Sequence, residues 1–130
     1  MASAELLWQC VRRTSCFLRK SHGILLSKEP LNLAQKNSLR FSGLCHPRPL
    51  GLQLVGNAAA VKLSYRAKNP NKARFPRRAL CSKKFPKSHS KTKQLLQLVA
   101  QQRPDLVRLA KKRFHKLCKT SPKPAQAEQQ

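Results

Sequence analysis

Acidic residues are nearly absent from this sequence. Four Asp and Glu stand against 28 Lys and Arg in 130 residues, a formal charge of +24 at pH 7. Only Glu5, Glu29, Asp105 and Glu128 are acidic. So few carboxylates exclude paired-carboxylate chemistry and leave little acid–base capacity beyond histidine. A Gly-rich phosphate loop, a metal-ligand cluster and a triad arrangement are also missing, so no catalytic residue, metal or cofactor is assigned and an enzyme is not expected. The five cysteines, Cys10, Cys16, Cys45, Cys81 and Cys118, contain no Cys-x-x-Cys pair. That spacing fits neither a zinc ribbon nor a disulfide scaffold and points to reduced thiols in a cytosolic or nuclear protein. No apolar run approaches the roughly 18–20 residues that span a bilayer. One Trp, one Tyr and five Phe support only a small core.

What is present in excess is positive charge. A compact domain with so few counter-charges repels itself and needs a polyanion beside it. Nucleic acid is the first choice and an anionic membrane surface the second. The length suits one domain. The first 28 residues, rich in Arg, Lys and Ser, also have the composition of a transit peptide.

The apolar pattern predicts an α+β fold. Ser3-Ala4-Glu5 is a helix entry, and Leu6, Leu7, Cys10 and Val11 continue it over residues 4–11, with Trp8 as a core anchor. Thr14–Lys20 and Ile24–Ser27 flank Ser21-His22-Gly23 and predict a hairpin with His22 at its tip. Leu39 and Phe41 alternate with Ser38, Arg40 and Ser42, which predicts a half-buried strand over 37–44 at the middle of the folded part. Strands follow at about 50–55 and 59–65, joined by a turn at Gly56-Asn57, completing a small antiparallel meander. Lys62 and Arg66 lie on its polar face or edge, where lysines block unwanted pairing.

Residues 66–92 change character: ten cations come with Pro70, Pro76 and Pro86 and no acid. The segment reads as a basic linker in which Phe75 and Phe85 each sit within a cationic cluster. Arg and Lys there can neutralise phosphates while Phe packs on a base or ribose. The alternative is a charged linker without a fixed partner, and nuclear import fits either. A helix is predicted over 93–102. Arg103 breaks it before Pro104, which suits the first position of a second helix over 104–119, with Asp105 favoured in its first turn. On that helix Leu106, Val107, Ala110, Phe114, Leu117 and Cys118 fall on one side. Arg108, Lys111, Lys112, His115, Lys116 and Lys119 fall on the other, a cationic row of roughly 20 Å at 1.5 Å per residue. Solvated faces usually mix signs; this one has no acid. Residues 120–130 read as a flexible tail.

Trp8-Gln-Cys-Val11-Arg12, Ser15, Phe17-Leu18, Lys20, Glu29-Pro30, Asn32-Leu33, Asn37-Ser38, Arg40, Gly43-Leu44, His46 and Gly51 together resemble the eukaryotic cytosolic large-subunit ribosomal proteins of the L-twenty-eight (eukaryotic type) family. Arg103-Pro104-Asp105-Leu106 resembles the entry to that family's last helix. The resemblance implies a structural constituent of the large ribosomal subunit, located in the cytoplasm with nucleolar passage during assembly. Its implied partners are large-subunit ribosomal RNA and neighbouring ribosomal proteins, with no membrane and no small-molecule substrate. The candidate RNA-binding residues are Arg12, Arg40, Arg66, Lys68, Lys72, Arg74, Arg77, Arg78, Lys83, Lys84, Lys87, Arg108, Lys111, Lys112, Lys116 and Lys119. The expected organisation is a core at 1–65, a basic RNA-contacting segment at 66–92, a helical pair at 93–119 and a tail at 120–130. Two alternatives stay open. A nucleolar assembly-factor family shares this domain, and Phe75-Pro76-Arg77-Arg78 resembles one of its motifs, although that family clusters cysteines where this chain has only Cys45. A mitochondrial ribosomal protein would use the basic N-terminus for import, although the matched residues begin inside that segment.

Overall fold

A computed structural model describes residues 3–55, 60–67, 69, 71, 75–87 and 89–120, the side chains of Pro76, Arg77 and His89 excepted. The architecture is α+β, as the apolar pattern predicts. Helix α1 spans Ala4–Val11 and is capped by Ser3, whose side chain accepts the Leu6 N–H at 3.2 Å. Strands β1 (Leu18–Ser21) and β2 (Ile24–Ser27) form an antiparallel hairpin with Ser21 opposite Ile24. His22 and Gly23 turn the chain with φ of 47° and 76°, the positive pair that two-residue hairpin turns use.

Strands β3 (Leu50–Val55), β4 (Ala60–Arg66) and β5 (Leu80–Pro86) form a second antiparallel sheet in that spatial order. The expected single meander is therefore two separate sheets. The expected turn at Gly56-Asn57 lies outside the described residues. A short helix α2 (Pro76–Ala79) leads into β5. Helix α3 (His89–Gln102), a 3-10 turn (Pro104–Leu106) and helix α4 (Val107–Lys119) follow.

The core lies between the second sheet and the helical pair. Leu50, Leu52, Val61, Leu63 and Phe85 come from the sheet, Leu95 and Val99 from α3, and Leu106, Ala110, Phe114 and Leu117 from the last turn and helix. The spacing 106, 110, 114, 117 is one helical stripe, so α4 turns a single apolar side inward. Full burial of each large side chain contributes about 1.5–3 kcal/mol. Ala110 has no exposed surface; its small side chain lets α4 approach its neighbours closely.

Four local expectations change. Residues 37–44 form turns, not a strand: the Phe41 and Ser42 N–H groups both bond back to the Ser38 carbonyl at 3.0 Å. The alternation there was too short to outweigh the local bonding of serine. Ser42 is buried, donates to Glu29 and accepts the N–H groups of Leu44 and Cys45. Glu29 in turn accepts the Gly43 N–H at 2.7 Å. Trp8 is half-buried and outside the core cluster, and α1 buries no residue. Residues 80–86, expected within the basic linker, are a strand, because Val61 on β4 faces Phe85 and both enter the core. Of the two places expected for Lys62, it takes the polar face and not the edge, since β4 is flanked on both sides.

Candidate nucleic-acid interface

Among the described residues, helix α4 gathers a dense cationic surface. With Ala110, Phe114 and Leu117 buried, the helix can rotate no other way without exposing them. Arg108, Lys111, Lys112, Lys116 and Lys119 are accordingly exposed, and with His115 they line one open concavity. The structure thus brings together all five cations expected on this helix. Its buried apolar side is committed to the core, and Leu109 is the one large aliphatic side chain that the helix leaves exposed. Among the described residues, no helix is long and apolar enough to cross a membrane.

The described acids do nothing to offset this face. Glu5 sits in the first turn of α1, where the helix dipole favours it. Glu29 is buried and holds the turn at Ser42 and Gly43. Asp105 binds Arg103 at 2.7 Å and Arg40 at 3.2 Å. The Arg103 hydrogen bond, aided by the positive charges of Arg103 and Arg40, holds the Asp105 carboxyl below its ordinary range against a partial burial that opposes it. Arg40 also stacks over Phe41, its guanidinium carbon 5.7 Å from the ring centre. It therefore serves the fold as well as facing solvent.

A second cationic surface lies on the side of the sheet away from the helices. Gln53, Lys62 and Lys84 stand opposite one another across the three strands. Like charges directly opposite destabilise a strand pair unless an anion lies between them. Lys83, one residue along, is exposed but stands opposite the core residue Leu63 and so belongs to the other face of the strand. Arg66, at the end of β4, shares a cleft with Pro47, Arg48, Ala67 and Gln102. Arg48 was missed by the sequence reading; its one signal was a cation between two prolines.

The remaining candidates are dispersed. Arg12 follows α1 and bonds Gln9 at 3.3 Å. Arg78 lies over one face of the Phe75 ring at 5.6 Å, and the ring is otherwise exposed, which leaves its other face open for stacking. Phe85 does not: it is 6% exposed and part of the core. Lys87 donates to the Thr120 carbonyl at 3.0 Å. Lys68, Lys72 and Arg74, and the side chain of Arg77, lie outside the described part of the structure.

Two further groups shift with their surroundings. Burial lowers the pKa of His46, assisted by the nearby Arg103 charge, while its Nδ1 accepts the Arg48 N–H at 3.0 Å. Burial raises that of the Cys118 thiol, which Lys87 partly counters.

Comparison with known proteins fits this basic, two-layer arrangement. The "Large ribosomal subunit protein eL28" of Dictyostelium discoideum is 32% identical over 117 residues, covering 88% of this chain and 86% of that protein. Its namesake in Schizosaccharomyces pombe is 36% identical over 77 residues, 57% of this chain and 56% of that one. In Caenorhabditis elegans the figures are 33% over 73 residues, 55% of this chain and 58% of that one. The Ribosomal L28e protein family model matches residues 6–120, and with that extent of agreement the chain belongs to the ribosomal L28e family.

Proposed function

We propose that this protein is a structural constituent of the cytosolic large ribosomal subunit and binds ribosomal RNA electrostatically. The observation that carries the reading is α4: its apolar side is locked in the core while its acid-free cationic side faces out. Family membership supplies the ribosomal context. The mechanism is counterion release. Each phosphate neutralised by Lys or Arg frees condensed cations, so affinity falls steeply as salt rises. The Lys62–Lys84 row and the cleft at Arg66 add contacts on another side, which suits a protein embedded among RNA segments. Neighbouring ribosomal proteins complete the surroundings.

Titration against large-subunit RNA and an unrelated duplex over a range of salt tests the RNA part. A log–log slope near zero would defeat it. Sedimentation tests the place in the cell. A structural constituent stays with mature, translating ribosomes, whereas an assembly factor leaves before that stage; a mitochondrial location of a fluorescent fusion would defeat both.

A further inference from the structure

We infer that α4 is a shape reader of double-helical RNA, contacting the backbones on both borders of a groove at once. The inference rests on the proposed RNA-binding role and specifies what kind of RNA this helix takes.

The cations are not a single file. At about 100° per residue, Arg108, Lys112, His115 and Lys119 form a central stripe about 60° wide. Lys111 lies on one flank and Lys116 on the other, about 140° apart around the helix axis. A helix with its side chains is about 10–12 Å across. The two flanking ammonium groups are thus on the order of 10 Å apart, with the central stripe between them. One flexible strand follows one stripe and meets one flank at a time. Two strands bordering a groove meet both.

The chemistry of the face agrees. None of its six side chains is Asn or Gln, which read adenine edges, and its one ring, the His115 imidazole, is half-buried and set edge-on to Phe114 with ring centres 6.4 Å apart. The larger ring on this helix, Phe114, is 1% exposed and points into the core. Arg108 alone has a fork able to pair a guanine edge, and the deep, narrow major groove of A-form RNA withholds those edges. Phosphates and 2′-hydroxyls remain, and these report shape, not sequence. The lysines act as adaptable point charges, suited to phosphates at slightly varying spacing.

The test uses the full chain and its Lys111→Ala, Lys116→Ala and doubly substituted variants. The probes are two 16-base-pair RNA duplexes of unrelated sequence and a 16-nucleotide uridine strand, each titrated at several salt concentrations. On both duplexes, each single substitution is expected to reduce the salt slope by about 0.9, and the two losses of affinity multiply. On the single strand, either single substitution costs under about 2-fold, because the strand shifts to the other flank. Equal losses on strand and duplex, or losses on one duplex sequence only, would overturn the shape-reading inference and leave RNA binding by α4 standing. No change on any probe, even for the double variant, would remove α4 from the RNA-binding surface altogether.

Discussion

Arg103 and Asp105 form a forked pair two residues apart, Nη2 donating to Oδ2 at 2.7 Å and Nε to Oδ1 at 3.2 Å. The third direction of the guanidinium is used as well: Nη1 donates to the Arg40 carbonyl at 3.0 Å. Arg103 itself is 6% exposed. One buried cation thus ties the turn at residues 38–42 to the junction of α3 and α4. Because that junction sets the rotation of α4, it also sets where the basic face points. Arg is suited to this place since its planar fork satisfies several acceptors at fixed angles.

Acid should release this tie. In the fold the Asp105 carboxyl titrates below its ordinary value, chiefly through the Arg103 hydrogen bond; in the unfolded chain it titrates near the usual value of about 3.9. Its stabilising contribution is therefore present above about pH 4 and is lost as pH falls through the folded pKa. His46 acts in a higher window. Its pKa is lowered by burial, so the unfolded chain takes up the proton first, and stability falls as pH drops below about 6.5. Denaturation across pH 3–8 should show both declines. Asp105→Asn should remove the lower one. His46→Asn, which keeps an acceptor for the Arg48 N–H, should remove the upper one.

Phe85 separates a core role from a base-stacking one. It lies opposite Val61 in the sheet and is buried. Phe85→Ala should destabilise the fold by about 3–5 kcal/mol, as cavity-forming aromatic truncations do. Urea titration measures that loss. The RNA affinity of the fraction still folded should be unchanged, whereas Phe75→Ala, at an exposed ring, should show the reverse: little loss of stability and weaker binding to unpaired RNA.

Gly51 permits a close backbone crossing. A Cβ at this position would press on the Pro30 carbonyl oxygen and stand 2.9 Å from the Leu31 Cα, both parts of the main chain. Neither can swing aside, so Gly51→Ala should cost about 1–3 kcal/mol, the range for overpacking. Gly23 is the control. It has φ +76° but open space around it, and Asn tolerates that conformation. Gly23→Asn should leave the denaturation midpoint nearly unchanged.

The parts legible in the sequence are those fixed by near neighbours. The stripe at 106, 110, 114 and 117 declares α4 because each gap in it holds at least one cation. Residues 4–11 and the hairpin are declared by Ser3 and by the turn at Ser21-His22-Gly23. β5 was hidden because lysines occupy both of its faces and Pro86 ends it. What makes it a strand is pairing with β4, some twenty residues earlier in the chain. Arg103 was hidden for a related reason. A residue before proline looks like a boundary, and its burial depends on the Arg40 carbonyl, 63 residues away. The candidate interface was legible on α4 for the same reason the helix was. The Lys62–Lys84 row was not, since neither lysine's neighbour could be known before the strand register was.

Charge reversal on α4 joins fold and function in one measurement. Lys111, Lys112 and Lys116 are exposed, and none takes part in the Arg103–Asp105–Arg40 tie. Their replacement by Glu leaves Ala110, Phe114 and Leu117 untouched, so the helix should stay in place. New acids on a helix already rich in cations relieve self-repulsion, and the denaturation midpoint should hold or rise slightly. Binding should respond in the opposite sense. Three lost phosphate contacts reduce the salt slope by about 2–3, before counting the repulsion that the new carboxylates add. Circular dichroism and salt-dependent titration on the same samples give both readouts. Stability preserved with binding to large-subunit RNA unchanged at physiological salt would show that this face contacts no phosphate. Stability lost together with binding would show instead that the lysines support the helix.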